Sequence, residues 1–160
     1  MTYKTAIITV SDRCSKGLQE DTSGPAIAEM MGKEGYAVVY RGLVPDEQEL
    51  IENEIKKCAD EIGANIILTT GGTGFSPRDI TPEATRAVIE RETPFIPQAM
   101  LYYSLQITPR AMFSRMAAGI RKNSLIINLP GSRKAATENL SGIIGALEHA
   151  LHMLAGEGHE

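Results

Sequence analysis

The stretch TTGGTGFSPRDITPE, residues 69 to 83, concentrates the residue types best suited to handling an anion. Consecutive glycines leave main-chain N–H groups free to converge on phosphate oxygens, because no Cβ holds a ligand away. Gly71, Gly72 and Gly74 supply that backbone, and Thr69, Thr70 and Thr73 add hydroxyl donors. A tight strand-to-helix turn without a ligand would use the same glycines. Neither familiar nucleotide motif is present. No lysine lies between Lys57 and Lys122, which excludes a P-loop, and Pro77 stands where a dinucleotide fingerprint needs its third glycine. Asp79 gives the loop its chemical character. A carboxylate beside a phosphate cradle is electrostatically unfavourable unless a metal cation or a proton transfer employs it. Its structural alternatives are an ion pair with Arg78 or a cap on the helix that starts near Thr81.

Asp46 raises the same choice. Pro45-Asp46-Glu47 follows an apolar run, so Asp46 would reach the edge where Asp79 stands, and the two could share a magnesium ion. Equally, Asp46 with Glu49 three residues on reads as a capping box, whose N-cap is worth about 1 kcal/mol. The remaining reactive inventory is thin. Cys14 and Cys58 form no CxxC pair and are expected as reduced thiols. His149, His152 and His159 all lie at the C-terminal end, with His149 and His152 expected on the face of the last helix. Met112 and Met116 read as packing.

With 160 residues, 42% of them apolar, the chain is expected to form one domain, 1–160, around one sizeable core. A net charge of −4 with mixed signs offers no basic stripe for nucleic acid and no polybasic membrane patch. The first apolar run is too short for a signal peptide, and no stretch approaches the roughly twenty apolar residues that span a bilayer. A cytoplasmic location is the expectation.

Strand and helix signals alternate along the chain. Residues 5–10 form a β-branched run, 36–44 return to strand composition, and 65–70 and 125–129 complete four strands. Helices are expected over 22–34, stopped by Gly35; after Asp46, with Leu50, Ile51, Ile55, Cys58 and Ile62 as its apolar stripe; from Thr81 and Pro82, with Ala84, Ala87, Val88 and Ile89 inward; and over 137–154. The proline-containing segment 94–116 reads as a helix, a turn and a second short helix. This alternation predicts an α/β three-layer sandwich with a mostly parallel central sheet flanked by helices. Ligands bind such sheets beyond the carboxyl ends of the strands, which groups Ser11-Asp12-Arg13, Gly71 to Ile80 and Pro130-Gly131-Ser132 at one edge.

The succession TVSDR (9–13), PDE (45–47), TTGGTGFSPRDITPEAT (69–85), TPRAMFSR (108–115), GIR (119–121) and LIINLPGS (125–132) resembles the molybdopterin adenylyltransferase family. That family includes the MogA and MoaB proteins and the G domain of gephyrin and its plant relatives. The likeness runs through nearly the whole chain, with a looser one to CinA and MoeA proteins in the glycine loop. It implies transfer of AMP from ATP to the terminal phosphate of molybdopterin, release of pyrophosphate, and Mg2+ as cofactor. By the same resemblance Asp46 and Asp79 are catalytic, with Asp79 holding magnesium. Ser11, Asp12, Gly71, Gly72, Thr73, Gly74, Ser114, Arg115, Pro130, Gly131 and Ser132 would bind nucleotide or pterin phosphate, with Arg115 pairing an anionic substrate. Ser114 is also placed to cap a helix, and Arg78 could meet phosphate or solvent. A homo-oligomer is implied, a trimer or alternatively a hexamer, whose product passes to the enzyme that inserts molybdate or tungstate. A non-catalytic molybdopterin-binding module and a CinA-like nucleotide pyrophosphatase are the alternative functions.

Overall fold

The computed structural model describes residues 2–157, so the expected position of His159 lies outside the described residues. Six strands form one sheet in the order β2-β1-β3-β6-β5-β4. β1 (Lys4–Val10), β2 (Ala37–Val44), β3 (Ile66–Thr70) and β6 (Ser124–Leu129) run parallel. β5 (Ala118–Arg121) and β4 (Arg91–Glu92) extend the sheet by antiparallel pairing. Neither short strand has an apolar alternation long enough to announce it. The turn from β5 to β6 is a two-residue hairpin at Lys122-Asn123, with Lys122 at a φ of 51° and no glycine to signal it.

Side-chain alternation sends the parallel strands into two cores. One face carries Ile7, Ile66, Leu68, Leu125, Ile127 and Leu129. It packs against α2 (Ser23–Lys33), α5 (Phe95–Leu105), α6 (Arg133–Ser141) and α7 (Leu147–Leu154) through Ile27, Met31, Met100, Leu140 and Leu151. The other carries Ala6, Ile8, Val10, Ile67 and Ile126 against α3 (Gln48–Lys56) and α4 (Thr81–Val88) through Ile51, Ile55, Ala84 and Val88. Burying an Ile or Leu side chain contributes roughly 1.5–3 kcal/mol, so the twice-covered centre of the sheet fixes the three layers.

Several local expectations change. The last helix is two helices: α6 stops at Ser141, and a 3-10 turn at Ile144–Ala146 leads into α7. Gly142 sits at the break because a Cβ there would come within 2.9 Å of the Tyr103 side chain of α5. The segment after Asp46 is α3 followed by a π-helical turn, Lys57–Ile62, and Leu50 faces solvent. Ala87 is exposed as well. Met112, expected to pack, is exposed, whereas Met116 does pack on the core. Thr81 begins α4, and Ile80 holds the cap position. A short helix α1 (Asp12–Ser15), with Ser11 accepting from the Cys14 N–H at 3.1 Å, follows β1. Cys58 is buried, which pushes its thiol up to about 12, consistent with an unreactive reduced side chain. Among the described residues no helix is long and apolar enough to cross a membrane.

One buried polar side chain ties the layers together. Asn128 of β6 donates to the Thr69 hydroxyl of β3 at 2.9 Å and to the Thr85 hydroxyl of α4 at 2.8 Å, and accepts from the Ala117 N–H at 3.1 Å. Stranding such buried partners costs about 1–3 kcal/mol for each group left unsatisfied. Asn128→Ala is therefore expected to lower the unfolding free energy by about 3 kcal/mol, read from the urea midpoint.

Candidate active site

The parallel register places Leu43, Thr9, Thr70 and Leu129 side by side, as the pairs Thr9↔Leu43, Thr9↔Thr70 and Thr70↔Leu129 show. The four loops that follow these strands leave from one edge. The chain passes from β1 outward to β2 and then back to β3 on the other side of β1, so the crevice opens where the winding direction reverses. Gly71 makes the turn out of β3 with a φ of 108°, and a Cβ there would lie 2.1 Å from the Val10 carbonyl oxygen. Gly72 follows at 69°, its missing Cβ leaving room for the Thr81 hydroxyl. Only glycine fits this path.

Asp46 is not a helix cap. Glu47 occupies that position, while the Asp12 N–H donates to Asp46 Oδ2 at 2.8 Å and the Asp46 N–H donates to Asp12 Oδ1 at 3.0 Å. This reciprocal pairing joins the loops after β1 and β2. Burial pushes the Asp46 carboxyl above the usual carboxylate range; the Asp12 N–H opposes the rise, and the neighbouring Asp12 and Asp79 charges add to it. Asp12 is held below that range, first by its hydrogen bonds from Arg78 and then by the Asp46 N–H. Arg78 reaches Asp12 through Nε and Nη2 at 2.9 and 3.0 Å and Glu47 through Nη2 at 2.9 Å, so its ion pairs are not with Asp79.

Asp79 does not cap α4 either. Its Oδ2 accepts from the Ser76 N–H at 3.0 Å and its own N–H donates to the Ser76 carbonyl at 2.9 Å, a turn closed within the loop. The threonine hydroxyls are engaged by protein: Thr69 accepts from Asn128, Thr70 donates to the Pro130 carbonyl at 2.7 Å, and Thr73 accepts from the Ser114 hydroxyl at 3.2 Å. Ser114 thus braces the loop with its hydroxyl, while its main-chain N–H closes the end of the 3-10 turn Pro109–Phe113 on the Ala111 carbonyl at 3.2 Å. Arg115, expected to meet a substrate anion, turns its side chain inward onto the loop and Glu83.

The crevice has two adjoining lobes. The first, about 520 Å³, lies between the β1 and β3 loops and the starts of α2 and α6, with Ser11, Asp12, Asp46 and Gly71 in its wall. The second, about 390 Å³, runs from Thr73 and Gly74 past Ser114 and Pro130 to Phe113. Gly72, Asp79, Gly131 and Ser132 belong to both. Ser132 caps α6 by accepting from the Ala135 N–H at 3.2 Å, so the positive end of that helix faces the boundary between the lobes.

Residues 6–149 match the family described as "Probable molybdopterin binding domain". The chain belongs to this family. A molybdopterin adenylyltransferase of Helicobacter pylori is 41% identical over 159 residues, covering 97% of this chain and 89% of the relative. The Drosophila melanogaster molybdenum cofactor synthesis protein cinnamon is 41% identical over 152 residues, but the chain spans only 25% of that longer protein. The crystal structure of the molybdopterin biosynthesis enzyme MoaB from Thermus thermophilus superposes with a TM-score of 0.93 at 42% identity, covering 99% of this chain and 100% of that one.

Viewed as a molybdopterin-binding-domain protein, the chain contains wall residues that the sequence reading left out. Asp21, Thr22, Ser23 and Arg133 line the first lobe. Asp21 accepts from the Thr9 hydroxyl at 2.7 Å and from the Gly24 N–H at 3.0 Å, so it caps α2 from just outside the helix. The available signal was Asp21-Thr22-Ser23 before Pro25, a helix-start pattern that says nothing about which loop it will face. Five carboxylates, Asp12, Glu20, Asp21, Asp46 and Asp79, meet two guanidinium groups, Arg13 and Arg133, around that lobe. Arg78 offsets Asp12 and Arg41 lies 3.8 Å from Asp21, and the acidic excess that remains makes a polyphosphate costly to hold there without a compensating cation. Among the described residues no three His, Cys, Asp or Glu side chains cluster closely enough to hold a metal by themselves. Magnesium seldom uses an all-protein cage and takes one or two carboxylates together with substrate phosphates, which the Asp46 and Asp79 pair fits.

Gly74 offers a direct test of Asp79. A Cβ at Gly74 would approach Asp79 Oδ2 to 2.9 Å, so the carboxylate must turn away and loosen its bond from the Ser76 N–H, a change confined to the loop. Gly74→Ala is expected to leave the melting temperature nearly unchanged and to lower turnover about tenfold by displacing that carboxylate. Paired thermal melts and rate measurements check it.

Proposed function

We propose that this chain is a nucleotidyltransferase of molybdenum cofactor biosynthesis, which joins AMP from ATP to the terminal phosphate of molybdopterin and releases pyrophosphate. The observation that carries this reading is the pair of lobes sharing Gly72, Asp79, Gly131 and Ser132. A transfer between two phosphorylated substrates needs two pockets that meet at the reacting phosphorus, and a loop there able to lie against phosphate. The activity named for the Helicobacter relative, at 41% identity over nearly both chains, supports the same reading.

In this reading a phosphate oxygen of molybdopterin attacks the α-phosphorus of ATP at the boundary of the lobes. The new P–O bond forms there, and the bond to the β-phosphate oxygen breaks with its electron pair leaving on pyrophosphate. Gly72 and Gly74 let the main chain approach the phosphates, and the α6 N-terminus behind Ser132 stabilises the negative charge that accumulates. Asp46 and Asp79 would hold magnesium, which would supply charge neutralisation for the phosphates. Asp12 positions Asp46 through their paired backbone and carboxylate bonds. The primary experiment is incubation with magnesium, ATP and molybdopterin, followed by mass detection of the adenylylated product.

Asp79→Asn preserves size and the bond from the Ser76 N–H but removes the charge that holds the cation. Adenylylation is expected to fall about 100-fold or more while molybdopterin affinity changes little. A fully active variant would remove Asp79 from the mechanism.

The assembly proposed is a homotrimer. Phe95 and Tyr102, seven residues apart on α5, are 76% and 75% exposed, and Leu105, Ile107 and Met112 beyond them are also exposed, a concentration of large apolar side chains unusual in a solvent-facing segment. Sedimentation equilibrium at micromolar concentration is expected to give three times the 17.3 kDa chain mass. A monomer would refute the assembly.

A further inference from the structure

Arg115 follows the 3-10 turn Pro109–Phe113 and lines neither lobe. Its guanidinium is shared among three points on the chain. Nε donates to the Gly74 carbonyl at 2.9 Å, Nη2 donates to the Asp79 carbonyl at 2.7 Å, and Nη1 donates to both Glu83 carboxylate oxygens at 2.9 and 2.8 Å. Its own main-chain N–H donates to the Thr73 carbonyl at 2.7 Å. Glu83 stands in the first turn of α4, on the rigid side of the loop.

The segment from Gly74 to Asp79 has its own internal bonds, the Ser76–Asp79 pair, which shape the turn without fixing where it sits. Arg78 ties the segment to Asp12 and Glu47 through its side chain, and Phe75 packs edge-on against Phe113; the main chain at both ends of the segment is held through two carbonyls by one planar group. We infer that Arg115, oriented by Glu83, is a positioning residue that sets where the Asp79 carboxylate stands on the wall common to the two lobes. The catalytic consequence rests on the adenylyl-transfer reading above; the mechanical one does not. A guanidinium suits the task because its donors point in fixed directions in one plane, so the separation of the two carbonyls is set by the group's width. A lysine ammonium can donate to carbonyls but does not hold two of them and Glu83 in one plane at a fixed separation. The Glu83 carboxylate also offsets the guanidinium charge at 2.8 Å, which weakens its pull on a substrate anion.

The test compares Arg115→Ala, Arg115→Lys and Glu83→Gln with the unaltered protein. Steady-state adenylylation is measured under saturating magnesium, and hydrogen exchange is followed in a peptide covering residues 71–80. Arg115→Ala is expected to lower kcat about 100-fold while KM for ATP and for molybdopterin stay within about threefold, because a misplaced carboxylate harms the transition state more than binding. Arg115→Lys is expected to restore less than about a tenth of the lost rate, and guanidinium ion added to Arg115→Ala to restore part of it. Glu83→Gln, which keeps size and touches neither lobe, should show the same pattern to a smaller degree, and exchange in residues 71–80 should rise in all three variants. A raised KM with kcat unchanged would make Arg115 a substrate contact and overturn the inference, as would full activity in Arg115→Lys. If the unaltered protein forms no adenylylated product, the functional reading fails and the exchange arm alone decides the inference. Unchanged exchange in folded Arg115→Ala then overturns it. Should Arg115→Ala not fold, unchanged exchange and rate in Glu83→Gln do so.

Discussion

The in-register parallel pairing of β2, β1, β3 and β6 is the constraint on which everything functional depends. Parallel strands need long crossovers, and those crossovers place α2, α3 and α4 on the faces and deliver every strand-end loop to one edge. A one-residue slip of β3 against β1 would move Gly71 away from the Val10 carbonyl and turn Ile67 toward the wrong core. The hydrophobic cores therefore stabilise the fold and, through the register, also fix the separation of Asp46 from Asp79.

Electrostatics divides the site into parts that face the crevice and parts that hold it open. Asp12, Arg78 and Glu47 form an external bridge in which the charges largely satisfy one another. Arg115 and Glu83 form an internal one on the opposite side of the glycine loop. Asp46 and Asp79 are the carboxylates left between these bridges with the least compensation from cations, and burial of Asp46 raises the cost of its charge. Under the adenylyl-transfer proposal, a divalent cation brought with the substrate would relieve that cost.

Much of this was legible in the residues themselves. Ile66-Ile67-Leu68 and Leu125 to Leu129 are continuous apolar runs, and such runs are strands covered on both faces because nothing else buries both sides. The glycines at 71 and 72 announced a turn with unusual backbone, and Asp79 stands on the wall that this turn forms. Contacts across long sequence separations were not legible. Nothing local in Phe113-Ser114-Arg115 indicates that the arginine folds back onto Gly74, and nothing in Asp12 or Asp46 indicates that each satisfies the other's backbone. β4 and β5 escaped notice because two- and four-residue strands carry no periodicity of their own. β5 exists because β6 offers an edge to pair with, and β4 because β5 then offers the next.

The mutual bonding of Asp12 and Asp46 has a consequence for how such a site can change over generations. Each carboxylate satisfies the other residue's main-chain N–H, so replacing either one leaves a donor of the other loop without its acceptor. A single substitution thus damages two loops, and restoring the contact requires a second substitution in a different part of the chain. Drift at one of these positions is expected to be blocked until the other moves with it, so the two loops behave as one inherited unit although 34 residues separate them.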